Sequence, residues 1–128
     1  MLFVEYPKCS TCQKAKRYLE ERGAAFEDRP IHTQPPTVEE LRAWQAKSGL
    51  PLKRFFNTSG RSYQALGLKD RLPDLTEEEQ LTLLAGDGML VKRPILVTED
   101  AVLVGFRQAE WSAPTKRLIC RVVSMPFI

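Results

Sequence analysis

The sequence predicts an α/β fold, a mixed β-sheet flanked by helices, with a helical insertion between its two β-bearing ends. Three observations predict it. Residues 2–31 pass from a short apolar run through a helical pattern to a second strand candidate. From the Pro35-Pro36 break to Gly88 the chain carries helical spacing and helix caps. The β pattern then returns at Pro94 as two apolar runs separated by a turn. A βαβ unit supplies parallel strands and a hairpin supplies antiparallel ones.

The elements follow in order. Residues 2–6 read as a strand that is nearly continuous in apolar side chains, as a strand buried on both faces should be. A helix is expected over about residues 11–22, burying Ala15, Tyr18 and Leu19 and turning Glu20, Glu21 and Arg22 to water. Gly23 ends it. Residues 25–31 form a second strand candidate anchored by Phe26, and their poor alternation implies partial burial. After Gln34-Pro35-Pro36, Thr37 opens a helix and Glu40 completes a capping box. Val38, Leu41, Trp44 and Gln45 set its inner stripe, and Ser48-Gly49 with Pro51 closes it. Residues 52–56 read as a helical turn, Asn57-Thr58-Ser59-Gly60 as a turn, and residues 63–68 as a short helix stopping at Gly67. Pro73 to Thr76 lead into another helix, with Thr76 and Glu79 as a second capping box and Leu81, Leu83 and Leu84 apolar. Gly86-Asp87-Gly88 ends it. Residues 94–98 and 101–105, around Glu99-Asp100, are a hairpin. A closing helix is expected over residues 111–123, with Pro114 in its first turn and Leu118, Ile119, Val122 and Val123 as contacts.

That order, βαβ then helices then ββα, is the order of a thioredoxin-like fold. We expect one domain over residues 1–128, with the insertion at about 37–88. In this arrangement the first loop lies beside the turn before the hairpin, so Arg93-Pro94 is expected next to Cys9. A proline there invites a cis peptide bond.

Composition narrows the function. The chain has 128 residues, 43% hydrophobic and 27% charged, which suits a globular domain with a core. The net charge of +3 is mild, and the basic residues scatter except near the cysteines, so direct nucleic-acid binding is not expected. No apolar run approaches the ~20 residues of a membrane span. Glu5, Pro7 and Lys8 interrupt the apolar start, unlike a signal peptide. Three cysteines, an odd number, argue against a secreted disulfide framework, and a reducing cytoplasm is the expected compartment.

The chemistry concentrates in Tyr6-Pro7-Lys8-Cys9-Ser10-Thr11-Cys12-Gln13-Lys14-Ala15-Lys16. Both thiols stand where a helix begins, and the free N–H groups and dipole of a helix start favour an anion. The thiolate is the reactive form of cysteine. Lys8, Lys14, Lys16 and Arg17 add to the field. Cys9 therefore reads as the nucleophile, and Cys12 as the partner close enough to form a disulfide with it. The plainer reading of either thiol is a small buried apolar side chain. Zinc would need about four ligands, and only Cys120 and His32 remain as soft donors, so no metal is expected. Cys120 is expected to face the core and His32 to be a solvated loop residue. Arg93 would lower the thiol pKa of Cys9 and clamp an oxyanion with two donors. Pro94 shapes the site beside it. Asn57, Ser59 and Gly60 are turn formers that also stand as substrate contacts. Trp44 and Trp111 are packing residues.

Four motifs in order make the sequence familiar. Tyr6 to Lys16, Phe55-Phe56-Asn57-Thr58-Ser59-Gly60 with Tyr63 and Leu66-Gly67-Leu68, Leu90-Val91-Lys92-Arg93-Pro94-Ile95, and Val104-Gly105-Phe106 resemble the arsenate reductase (ArsC), Spx and MgsR family of thioredoxin-like proteins. The resemblance spans roughly residues 1–111. In the glutaredoxin-linked reductases of that family one cysteine attacks arsenate and three arginines hold the oxyanion. Cys9 falls on the nucleophile and Arg93 on the arginine before the proline. Asn57 and Phe106 stand where the other two arginines belong, with Arg107 one step away and Arg54 within reach. The resemblance implies a thiol-disulfide oxidoreductase using Cys9 and Cys12, with arsenate, a protein disulfide or a glutathione mixed disulfide as substrate. It implies no bound cofactor, and glutathione, glutaredoxin or thioredoxin as reductant. Its other branch implies a redox-sensing transcriptional regulator that binds the C-terminal domain of the RNA polymerase α subunit.

Overall fold

The structure is a computed structural model and describes residues 1–111. The closing helix expected over 111–123, with Pro114, and Cys120 lie outside the described residues, apart from Trp111. Helix instead begins at residue 108, three residues earlier than expected.

β1 (Leu2–Glu5), α1 (Ser10–Glu21) and β2 (Glu27–Pro30) form the βαβ unit, and β1 pairs parallel with β2 from Leu2–Glu27 to Glu5–Pro30. β3 (Ile95–Val97) runs antiparallel to β1, and β4 (Val102–Val104) antiparallel to β3. The strand order is β2-β1-β3-β4. This is the mixed, thioredoxin-like sheet the element order predicts.

The two-residue period of a strand divides the core. Phe3 and Leu96, paired across β1 and β3, face α1 and pack with Ala15, Tyr18, Leu19 and Trp111. Val4 and Ile95, the next pair, face the insertion and pack with Leu41, Phe55, Phe56, Leu81 and Leu84. Each fully buried side chain of this size contributes about 1.5–3 kcal/mol. β2 is an edge strand with two exposed and two half-buried residues, shorter than the expected 25–31. Phe26 lies just before it, edge-on to Phe3 at 5.5 Å. Beyond it, Ile31 is buried on the insertion side.

α1 ends as expected. Gly23 takes φ +65°, its N–H reaches Glu20 O at 3.0 Å, and Ala24 N–H reaches Leu19 O at 3.1 Å. In the insertion, α2 (Val38–Ser48) and α5 (Glu77–Gly86) both form their capping boxes. The Thr37 hydroxyl accepts from Glu40 N–H at 3.1 Å while Glu40 accepts from Thr37 N–H at 3.0 Å, and Thr76 and Glu79 repeat the exchange at 3.1 and 3.1 Å. The helix expected over 63–68 is corrected. α3 (Arg61–Ala65) starts earlier and stops at the left-handed Gly67, φ +62°, after which the chain restarts as α4 (Leu68–Arg71). A residue in that conformation cannot continue a right-handed helix. Restarting the turn carries Leu68 into the core, where it is fully buried.

Two hydrogen bonds dock the insertion against the hairpin. Lys92 N–H donates to Phe55 O at 2.8 Å and Asn57 N–H to Leu90 O at 2.7 Å. The turn at Asn57 is thereby fixed beside Arg93. Gly88 sits under the end of β2, where an added Cβ would stand 2.3 Å from Ile31 O.

Candidate active site

Cys9 is the N-cap of α1, in extended conformation at φ −88° and ψ 121°. Its N–H donates to Tyr6 O at 2.9 Å, and its carbonyl accepts from Gln13 N–H at 3.1 Å. The Gln13 side-chain amide donates to Pro7 O at 2.9 Å. Short-range bonds thus hold the loop between strand and helix. Cys12 lies in the first turn, completely buried, while Cys9 is half-buried. Both are free thiols.

The two sulfurs differ in kind. Burial works against charge on Cys9, but the Cys12 amide, the Cys12 thiol, the Thr11 amide and the Arg93 charge outweigh it and hold the Cys9 thiol below its ordinary pKa. The Cys9 side chain makes no capping hydrogen bond of regular geometry, so the amides act on it mainly as aligned dipoles. Cys12 is pushed up to about 12, by burial first, with a Tyr6 backbone hydrogen bond opposing and the neighbouring Cys9 adding to the rise. The pair therefore consists of a thiolate-prone sulfur at the surface and a protonated one beneath it.

Arg93 and Pro94 come to Cys9 from the hairpin side, and their peptide bond is cis. The Arg93 guanidinium carbon lies 5.2 Å from the centre of the Tyr6 ring. Nη1 donates to Met89 O and Val91 O, both at a long 3.4 Å. Nε is buried and has no partner among the described residues. Arg93 lines the same cavity as Cys9, and its five N–H donors exceed these two long bonds. Pro94 is buried and its carbonyl accepts from Gly105 N–H at 2.8 Å, so it supports the wall from behind.

A cavity of about 690 Å³ opens over Cys9. Five cations line it: Lys53, Arg54, Lys92, Arg93 and Arg107. Thr11, Asn57, Thr58 and Ser59 add polar groups, and Phe56, Val104 and Phe106 an apolar side. Among the described residues no carboxylate lines it. Arg107 is drawn toward Glu110 at 3.6 Å, whereas Lys53, Arg54 and Lys92 form no ion pair with a described residue. The volume falls within the range of small-molecule sites, about 300–1,000 Å³.

Of the residues singled out in sequence, Cys9, Arg93, Asn57, Ser59, Arg107 and Arg54 line this cavity, with Cys12 below Cys9. Gly60 does not line it. Its N–H donates to Asn57 O at 3.1 Å, and an added Cβ would stand 2.7 Å from the Asn57 amide nitrogen. Ser59 donates to Asn57 Oδ1 at 3.3 Å, which ties the turn together. His32 is exposed, edge-on to Tyr6 at 5.2 Å. Trp44 and Trp111 are buried as packing residues, and Trp111 Nε1 donates to Gly105 O at 3.0 Å. Lys53 and Lys92 escape a sequence reading. Lys92 adjoins Arg93, which is a weak signal, and Lys53 offers none.

Comparison with known proteins agrees with this geometry. Residues 4–113 match the ArsC family. The uncharacterized protein YusI of Bacillus subtilis is 51% identical over 87% of this chain and 94% of its own. The global transcriptional regulator Spx of Enterococcus faecalis is 30% identical, over 81% and 77%. Among solved structures, an ArsC-family-related protein from Bacteroides fragilis is 58% identical with TM-score 0.84, over 87% of this chain and 93% of that one. One described as a possible arsenate reductase from Streptococcus mutans is 50% identical with TM-score 0.78, over 84% and 91%. With one family matched across nearly all the described residues, and the Cys9 loop, the arginine before the proline and the sheet in place, the chain belongs to the ArsC family.

Proposed function

We propose that this chain is a thiol-disulfide oxidoreductase of the arsenate-reductase type. One observation carries the reading: a half-buried cysteine held below its ordinary pKa, with a protonated cysteine beneath it, opens onto a cavity lined by cations and, among the described residues, by no carboxylate. Such a site attracts an anionic electrophile and supplies the electron pair to reduce it.

With a disulfide substrate, Cys9 sulfur attacks one substrate sulfur. A mixed disulfide forms and the other sulfur leaves as a thiolate. Cys12 then attacks Cys9, the second thiolate leaves with the Cys12 proton, and two electrons have passed to the substrate. With arsenate, Cys9 sulfur bonds to arsenic as an oxygen departs as water, taking a proton from solvent. Attack by Cys12 on Cys9 then breaks the sulfur–arsenic bond and leaves the electron pair on arsenic as arsenite. Arg93 balances charge in both routes. Glutathione, glutaredoxin or thioredoxin restores the dithiol. The test is turnover by the reduced full chain of arsenate and of a glutathione mixed disulfide, beside Cys9→Ser and Cys12→Ser. Activity lost with Cys9→Ser, and an adduct trapped on Cys9 in Cys12→Ser, is the expected result. Activity equal in wild type and Cys9→Ser removes the proposal.

The Spx relative favours a second reading, a redox-responsive regulator that binds the RNA polymerase α subunit. Capture of that subunit's C-terminal domain by either the reduced or the oxidised chain supports it. Absence of binding in both states ends it.

A further inference from the structure

We infer that the cavity over Cys9 is an anion site gated by the redox state of the cysteines: it takes an external multivalent oxyanion more tightly once Cys9 and Cys12 are joined in a disulfide. The inference rests on the reading of Cys9 and Cys12 as a redox pair.

Two observations carry it. In the reduced protein, at a pH above its lowered pKa, Cys9 is the anion that the cations lining the cavity surround, since no carboxylate among the described residues lines it. Arg93, moreover, is incompletely satisfied there. Its Nη1 bonds are long and its Nε is buried without a partner among the described residues, so a guanidinium with five donors is short of acceptors. An oxyanion in the cavity would supply acceptors to the Nη groups, the buried Nε staying out of its reach.

Oxidation removes the resident anion. The Cys9 thiolate and Cys12 thiol give up two electrons and one proton to an uncharged disulfide such as that of 2-mercaptoethanol. A sulfur–sulfur bond forms in the protein, the reagent's breaks, and its two sulfurs become thiols with the Cys12 proton and one from solvent. The site loses one negative charge while Lys53, Arg54, Lys92 and Arg93 keep theirs. An oxyanion that had to share the cavity with a thiolate then meets, among the charged groups of the described residues, cations alone, beside the α1 N-terminus. Linkage is reciprocal, so an anion that prefers the oxidised form must also make the disulfide harder to reduce.

The experiment equilibrates the full chain in 2-mercaptoethanol and its disulfide, with sodium sulfate exchanged for sodium chloride at constant ionic strength to hold screening fixed. Thiol alkylation and intact mass read the oxidised fraction. If the oxidised form binds sulfate tenfold more tightly, saturating sulfate moves the midpoint about 30 mV more negative. Calorimetry on Cys9→Ser, which lacks the charge without forming the disulfide, is expected to give the sulfate affinity of the oxidised wild type. A midpoint that ignores sulfate, in a protein that does form the Cys9–Cys12 disulfide, overturns this inference and leaves the redox pair standing. Failure of the disulfide to form at any buffer ratio overturns both.

Discussion

The Cys12 thiol stands beside the Cys9 sulfur, and that neighbourhood makes two cysteines three residues apart chemically unequal. One is steered toward the anion and the other away from it. Among the influences that lower the Cys9 pKa, both the amide and the thiol of Cys12 outrank the Arg93 charge. Alkylation by iodoacetamide against pH should therefore show Cys9 reacting with an inflection below that of a free thiol, about 8.5. Cys12 should stay unmodified until the pH nears 12. Cys12→Ala should raise the Cys9 inflection more than Arg93→Ala does. The reverse order would mean that the arginine outweighs the Cys12 thiol in holding the thiolate.

The same inequality gives stability an alkaline signature. Below the ordinary thiol pKa, Cys12 is protonated in both native and unfolded chains. Between that value and about 12 the unfolded chain releases the proton and the native chain keeps it, so stability falls as pH rises, by up to about 1.4 kcal/mol per pH unit. Cys9 acts in the opposite sense, because its native pKa is depressed. Its contribution is present above the unfolded value and is lost as pH falls through the native one. Urea unfolding in reductant, from pH 7 to 10.5, should show the alkaline fall shrink in Cys12→Ser and the rise at lower pH vanish in Cys9→Ser.

Gly88 is a packing constraint rather than a flexible point. Its conformation is not left-handed, and the need for glycine comes from Ile31 O, which a Cβ would meet at 2.3 Å. That neighbour is backbone at the end of β2 and cannot swing aside. Gly88→Ala should force the Gly88–Leu90 turn off the sheet and cost about 1–3 kcal/mol. The site should suffer with it, because Leu90 O holds Asn57 and Asp87 O holds Leu90. Thermal unfolding and Cys9 alkylation together check this, with lower stability and altered Cys9 reactivity expected.

What the sequence disclosed was whatever is decided within a few residues. Thr37 with Glu40 and Thr76 with Glu79 are complete helix starts on their own, and both form. Phe3 and Val4 against Leu96 and Ile95 reveal two core layers because a strand turns successive side chains to opposite faces. The break at Gly67 was harder, since a left-handed glycine ends a helix equally well whether a loop or another turn follows. Burial of Leu68 decides which. Lys53 was invisible for a stronger reason. It reaches the cavity only because Phe55 and Asn57 bond to Lys92 and Leu90, a pairing across more than thirty residues that leaves no periodic trace. Glu5 stood out as a break in the apolar run, but its burial was not legible there.

Glu5 is 5% exposed at the end of β1, on the face toward α1. Burial raises its pKa first, the nearby Asp28 carboxylate raises it further, and Lys16 only partly offsets them, being bound to Asp28 at 2.7 Å. A raised carboxyl pKa means the native chain holds the proton more firmly than the unfolded chain. Its contribution is therefore full below the unfolded pKa and is lost as pH rises through the native one. Glu5→Gln, which keeps the shape and a donor without the charge, should stabilise the protein at pH 7 by about 1 kcal/mol and change little at pH 4. Glu40 supplies the contrast. Arg29 grips it with two bonds of 2.6 and 2.9 Å and holds its carboxyl below the usual range, so its contribution is present at neutral pH and fades as acid protonates it. Glu40→Gln should thus destabilise at pH 7, by about 1–2 kcal/mol for the lost charge-assisted bonds, and much less at pH 3. Chemical unfolding of both variants across pH 3 to 7 should give shifts of opposite sign. Parallel shifts would show that Glu5 is ionised at no cost in its buried place, and that Lys16 and not Asp28 is its true partner.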